Sequence, residues 1–256
     1  MSDHTVPGLL VCRRRRPDAA VRLYCFAHSG GSPGEFVRWG DELPEAEIWG
    51  VQLPGRGSRI DDPAHTRMAG LVEELVEHAA FRGRYAFFGH SLGALAAFET
   101  ARALRERGLP QPERLYLSAC VAPDLPRGVP AVHHLGDREL FAAIQGQYGS
   151  LPAELAADDE LLALVMGTHR ADFEIVDSYR YTPGRPLDVP LHVIGGTEDR
   201  IPAAALEHWR EHSLGPFDLR LLPGGHFYLR EQREALLRYL RTSLLDTDRT
   251  SPKASA

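Results

Sequence analysis

The feature that most constrains this chain is a regular alternation of short β-branched or aromatic runs with stretches of helical periodicity. The runs at 21–26, 48–53, 85–88, 114–120, 191–194 and 219–222 are each bounded by Gly, Pro or polar residues, and they predict six buried strands. Between them Met68, Leu71, Val72, Leu75 and Val76 recur at helical spacing. So do the apolar residues from Leu92 to Leu104, a run stopped by Gly108-Leu109-Pro110. Strands that alternate with helices build βαβ units, in which each crossover helix covers a face of the sheet. The expected fold class is therefore α/β, a mostly parallel central sheet flanked by helices, with functional loops at the carboxyl ends of its strands.

The alternation lapses once. Between Ala122 and Pro190 two helical patterns follow one another without a strand, one on Leu140, Phe141 and Ile144, the next on Leu161, Leu162, Val165, Met166, Phe173 and Val176. We read 122–190 as a helical insertion within a single domain spanning 1–256. Its apolar stripes suit either a lid over a site or ordinary packing. The polar stretch 246–256 is expected to be a disordered tail.

Composition narrows the function classes. A chain that is 43% hydrophobic and 25% charged is an ordinary globular protein. Its net charge of -6 offers no attraction to nucleic acid or to an anionic membrane, so neither is expected as a partner. The run Arg13 to Arg16 is short, ends at Pro17 and reads as a solvated turn. Cys12, Cys25 and Cys120 are odd in number and widely spaced, which argues against a disulfide framework and a structural zinc site and for reduced thiols in the cytoplasm. The N-terminus has no apolar run after its charges, and no stretch nears the roughly 18 apolar residues of a membrane helix.

Gly89-His90-Ser91-Leu92-Gly93 is a GxSxG with a strand running into it and a helix running out, the setting of a serine nucleophile on a strained turn. A serine hydroxyl needs a base to take its proton as it attacks. The strongest candidate is His226, in the glycine loop Pro223-Gly224-Gly225-His226-Phe227 after the last predicted strand. His90 neighbours the nucleophile too closely in sequence; His208 and His212 fall on a predicted surface helix, and His133, His134 and His169 in the insertion. The base needs an acid, which in this chain order stands between serine and histidine. Asp199, after Gly195-Gly196-Thr197-Glu198, satisfies that order, and Glu198 reads as solvent-facing. Asp124, after the strand at 114–120, is its rival. For the oxyanion, one backbone N–H should come from Leu92 and a second from Ser29 in Phe26-Ala27-His28-Ser29-Gly30-Gly31. No Gly-Lys-Ser/Thr, dinucleotide fingerprint or HExxH is present, so no cofactor and no metal are expected.

Together these segments resemble the type II thioesterases that accompany polyketide and nonribosomal peptide synthases, members of the α/β-hydrolase superfamily. The carriers are residues 26–32, Gln52-Leu53-Pro54-Gly55-Arg56 with Arg59, the GxSxG, Arg170-Ala171-Asp172-Phe173 leading to Tyr179-Arg180-Tyr181, Gly195 to Asp199, and Gly224-Gly225-His226-Phe227. Ala27 and Ser29 stand where the family reads Pro and Ala, and both leave a backbone N–H in place. The resemblance implies an α/β-hydrolase fold, a triad at Ser91, Asp199 and His226, and a mobile lid at 122–190. It also implies hydrolysis of stalled or aberrant acyl groups from the phosphopantetheine arm of an acyl or peptidyl carrier domain. Without the resemblance the residues reach only acyl transfer. A carboxylesterase or lipase acting on oxygen esters, an acyltransferase or macrocyclase, and a non-catalytic acyl-binding protein remain open on the residues alone.

Overall fold

The structure is a computed structural model and describes residues 6–149 and 151–246. Seven strands form one sheet: β1 (Leu10–Val11), β2 (Val21–Phe26), β3 (Ala46–Val51), β4 (Tyr85–His90), β5 (Leu115–Ser118), β6 (Leu191–Gly196) and β7 (Phe217–Leu222). Their order across the sheet is β1-β3-β2-β4-β5-β6-β7, and every pairing is parallel except that of β1 with β3. The helices are α1 (Met68–His78), α2 (Leu92–Glu106), α3 (Asp137–Tyr148), α4 (Asp159–Ser178), α5 (Ala203–Glu207), α6 (Tyr228–Glu231) and α7 (Arg233–Leu245). This is the expected α/β architecture.

The central strands bury both faces, and their period of two divides them between two cores. From β2, Tyr24 and Phe26 join Leu71, Leu75 and Phe98 on one face, while Leu23 and Cys25 join Trp39, Leu236 and Leu240 on the other. From β4, Phe87 points to the first core and Phe88 to the second. The registers bring Phe26 opposite Gly89 and His90 opposite Ser118, so β2, β4 and β5 all deliver their carboxyl ends to one spot.

Two sequence expectations need correction. β1 carried no signal because two residues cannot show a period. β7 starts at Phe217, and only Leu222 of it is buried. As the last strand in the sheet it has one neighbour, so part of it faces solvent. The second helix starts at Leu92, directly after Ser91, as the spacing from Leu92 to Leu104 predicts.

Within the segment 122–190 the described residues form α3, a short 3-10 turn at Ala153–Ala157 and α4. Gly149 ends α3 in the left-handed conformation that glycine tolerates best, and the Asp158 carboxylate caps α4 by accepting from the N–H groups of Glu160 and Leu161 at 3.0 Å each. Leu140 and Ile144 of α3 pack on Leu162 and Met166 of α4, a small core apart from the two on the sheet. Arg13, Arg14 and Arg15 are exposed, with Arg13 and Arg14 on Asp41 and Arg15 on Glu47 and over Trp49, the solvated turn expected of that run. All three cysteines are free. No described helix is long and apolar enough to cross a membrane. Of the predicted tail only Asp246 is described; the rest lies outside the described residues.

Candidate active site

β4 ends at His90 and α2 begins at Leu92, so the chain must reverse within Ser91. Ser91 does so at φ 57° and ψ −118°, a conformation costing a non-glycine residue about 1–3 kcal/mol unless its surroundings enforce it. They do. The Ser91 N–H donates to the Ser118 carbonyl at 2.8 Å, extending the β4–β5 ladder into the turn. A Cβ at Gly89 would lie 2.2 Å from the Gly93 carbonyl oxygen, and one at Gly93 would lie 2.1 Å from that of Phe26, so both glycines of the GxSxG are required by close backbone approach. Leu92 opens α2, and its N–H therefore has no acceptor within the helix.

Asp199 and His226 come from the turns after β6 and β7. These turns are laced together: Thr197 N–H donates to Leu222 O and Glu198 N–H to Gly224 O, each at 2.9 Å. A Cβ at Gly196 would meet the Gly224 oxygen at 2.3 Å. So joined, they place His226 Nδ1 2.9 Å from Asp199 Oδ2 with the two side chains 10% and 4% exposed. An ionised carboxylate only accepts, so Nδ1 carries the proton and Nε2 keeps its lone pair. Glu198 is exposed, as expected.

The turn after β2 carries Ser29. The Gly31 N–H is taken by the His28 carbonyl at 2.8 Å and the Gly30 N–H by the Asp172 carboxylate at 2.7 Å. Among the described residues the Ser29 N–H finds no acceptor, as an oxyanion donor requires.

His90 is fully buried, its Nδ1 2.8 Å from the Ser118 hydroxyl, which in turn sits 2.7 Å from that of Tyr228. Burial, then neighbouring His226, holds its imidazole well below the ordinary histidine range. Burial, then Arg230, lowers His28 to about 3. The rival acid Asp124 turns away from His226 to His208 and His212, whose Nε2 atoms lie 3.0 and 2.7 Å from its two oxygens. The expectation that both lie on a surface helix is corrected: His212 is buried beside Trp209 and Phe98. The donor atoms of Asp124, His208 and His212 lie within 4.8 Å of one another, near enough to hold a cation. Each Nε2 there donates to the carboxylate, so a cation would have to displace both protons.

Ser91, Asp199, His226 and Ser29 line one cavity of about 950 Å³. Val132, Ile144, Leu151, Val165 and Phe173 of the segment 122–190 also line it, and Arg127 and Arg200 border it. Sequence reasoning missed Tyr148, the last residue of α3, whose ring centroid lies 4.7 Å from that of His226. An aromatic residue just before a helix-ending glycine is too common a pattern to have singled it out.

Comparisons with known proteins identify the family. A family model described as a thioesterase domain matches residues 21–244. The thioesterase PikA5 of Streptomyces venezuelae is 41% identical over 247 residues, covering 93% of this chain and 85% of that protein. Among solved structures, the type II thioesterase BorB from the borrelidin biosynthetic cluster matches with a TM-score of 0.81 at 33% identity, covering 92% of this chain and 97% of that one. The RedJ thioesterase from the prodiginine biosynthetic pathway in Streptomyces coelicolor gives 0.79 at 35%, covering 88% and 91%. With a match across nearly all of its sheet and both turns of the carboxylate–histidine pair, this chain belongs to the thioesterase family, as a thioester hydrolase of the α/β-hydrolase fold related to the type II thioesterases.

Proposed function

We propose that Ser91, His226 and Asp199 act together to hydrolyse the thioester between an acyl group and the phosphopantetheine arm of a carrier domain, in polyketide or nonribosomal peptide biosynthesis. The observation that carries the reading is the pair itself: Nδ1 of His226 is spent on Asp199 at 2.9 Å, while its ring and the strained Ser91 border the same cavity. Nε2 takes the Ser91 proton as Oγ bonds to the acyl carbon, and the Leu92 and Ser29 N–H groups receive the negative oxygen. The C–S bond then breaks, and the thiol leaves with the proton from His226. A water attacks the acyl-enzyme with His226 again as base, the acid departs and Ser91 regains its proton.

The relatives named for the borrelidin and prodiginine systems support a carrier-bound substrate. Arg127 and Arg200 at the cavity offer charge for the phosphate of the arm, the apolar wall of the insertion offers room for the acyl chain, and the insertion acts as the lid. Such a protein works in the cytoplasm beside the synthase whose carriers it clears.

The test is steady-state hydrolysis of matched short-acyl substrates: acyl-carrier protein, acyl-pantetheine thioester and the corresponding oxygen ester. Thioester turnover should exceed ester turnover, be fastest on the carrier, and vanish in Ser91→Ala. Ester preference would make the enzyme a carboxylesterase, and turnover surviving Ser91→Ala would remove that serine from the chemistry.

A further inference from the structure

We infer that Asp172 of α4, acting through Arg56, is a positioning residue for the oxyanion-donor turn, so that the insertion completes the catalytic site as well as covering it. This rests on the reading of Ser29 and Leu92 as the donors.

The contacts converge on the two residues that follow Ser29. Asp172 Oδ2 accepts from the Gly30 N–H at 2.7 Å and from Arg56 Nη1 at 2.8 Å, and its Oδ1 accepts from Arg56 Nη2 at 2.6 Å. The same Nη1 also donates to the Gly31 carbonyl at 3.0 Å. One carboxylate and one guanidinium thus grip an N–H and a C=O of adjacent residues, in a fork whose planar geometry leaves little freedom. With Gly30 N–H committed to Asp172 and Gly31 N–H to His28, the Ser29 N–H is the one of these three left without an acceptor, on a residue that borders the cavity. Gly30 itself stands at φ +74°, and a Cβ on it would lie 2.0 Å from His169 Nε2, so α4 presses directly on the turn. One residue earlier, the Thr168 hydroxyl donates to the Gly55 carbonyl at 3.2 Å, beside Arg56.

Stability alone explains this arrangement poorly. The Asp172 and Arg56 side chains are 2% and 9% exposed, and a buried ion pair of this kind commonly adds no net stability over apolar packing. What the pair does supply is orientation, delivered to the peptide groups next to the donor. Along the same helix Leu162 and Met166 pack on α3, whose last residue, Tyr148, lies over His226. The insertion therefore contacts both the donor turn and the base.

The experiment compares wild type with Asp172→Asn and Arg56→Lys, with Arg170→Gln as a control that loosens α4 from the His133 and Leu135 carbonyls and from Asp137, away from the donor turn. Beside kcat, KM and the melting temperature, it measures the affinity of an acyl trifluoromethyl ketone. Addition of Ser91 Oγ forms a C–O bond, moves the carbonyl π pair onto oxygen and passes the serine proton to His226, so this affinity reads the oxyanion donors without turnover. Asp172→Asn and Arg56→Lys should each lower the affinity and kcat together, by about 10- to 100-fold, a loss below that of removing a donor outright. KM should move less than about twofold, as expected when only the transition state is affected. Loss in KM alone, or losses no greater than those of Arg170→Gln at equal melting temperature, would overturn the proposal. Should Asp172→Asn not fold, Arg56→Lys decides by the same criteria. If Ser91→Ala binds the ketone as tightly as wild type, the serine reading fails and this proposal with it; a Ser91-dependent adduct left unchanged by Asp172→Asn sinks the positioning role alone.

Discussion

Two carboxylate–imidazole clusters stand at the carboxyl ends of neighbouring strands, Asp199 with His226 beyond β6 and Asp124 with His208 and His212 beyond β5, and they are wired in opposite senses. Asp199 accepts from Nδ1 of its partner, whereas Asp124 accepts from Nε2 of both of its partners. In His212 the second nitrogen is occupied as well, since the Tyr181 hydroxyl reaches Nδ1 at 3.3 Å. Both nitrogens of His212 are therefore spent, while His226 keeps Nε2 for a proton. Pairing with a carboxylate does not make a histidine a base. On the proposed mechanism, an unspent nitrogen and a nucleophile on the same cavity do.

The largest expected effect breaks the comparison along that line. In Asp199→Asn the new amide can donate to Nδ1, which favours the tautomer with its proton on Nε2 and leaves no lone pair for Ser91. By analogy with the loss of this acid in serine proteases, kcat on an acyl-pantetheine substrate should fall about 10³- to 10⁴-fold. Asp124→Asn should change kcat by less than about twofold, as a substitution outside the reacting groups does. A larger loss from Asp124 than from Asp199 would move the triad acid to the end of β5.

The site was more legible in the sequence than the wiring around it. Gly89, Ser91 and Gly93 were readable because the turn needs those residues within five positions, and the close approaches at both glycines are the physical reason. Asp199 and His226 were readable because each follows a strand through glycines that let the two turns touch. The burial of His212 was not, for it depends on Phe98 and Trp209 reaching it from α2 and from its own turn. Nor was the hold of Asp172 on Gly30, a contact across 142 residues that no local spacing encodes. Local strain leaves a mark in sequence; long-range hydrogen bonds leave little more than a polar residue on a helix.

The next effect separates the clusters on the pH axis. His28 and His90 surround the His226 loop and are buried neutral, His28 at about 3 through burial and then Arg230. Their folded values lie below the unfolded 6.5, so their contribution is full above pH 6.5 and is lost as pH falls towards the folded value. By pH 5 His28 alone accounts for a loss of at most about 2 kcal/mol. For Asp124, burial would raise the carboxyl, but His208 and His212 outweigh it and hold it below its ordinary value of 3.8. Its contribution is thus present above pH 3.8 and lost only as pH falls further through the folded value. Urea unfolding from pH 7 to 5 should show wild type losing stability and His28→Asn losing less. Equal slopes would mean that the His28 imidazole is not held neutral.

The smallest effect tests whether the Asp124 cluster is structural. Asp124→Ala leaves the Nε2 proton of buried His212 without its acceptor, and an orphaned buried donor costs about 1–3 kcal/mol. The side chain of Asp124 is 35% exposed, so water partly replaces it and screens its charge, which puts the loss at about 1 kcal/mol. His208 also has a partly exposed side chain, at 35%, and water can replace its bond to Asp124, so His208→Gln should cost less than about 0.5 kcal/mol. His212→Gln, at 6% exposure, should cost more than His208→Gln because it breaks the Tyr181 contact and the ring packing on Trp209 together. Denaturant midpoints measured beside kcat decide the matter: the order Asp124→Ala and His212→Gln below His208→Gln in stability, with all three turning over like wild type, marks a brace that joins the end of β5 to the turn after α5. A loss of kcat in any of them out of proportion to its stability would instead draw this second cluster into the function of the cavity.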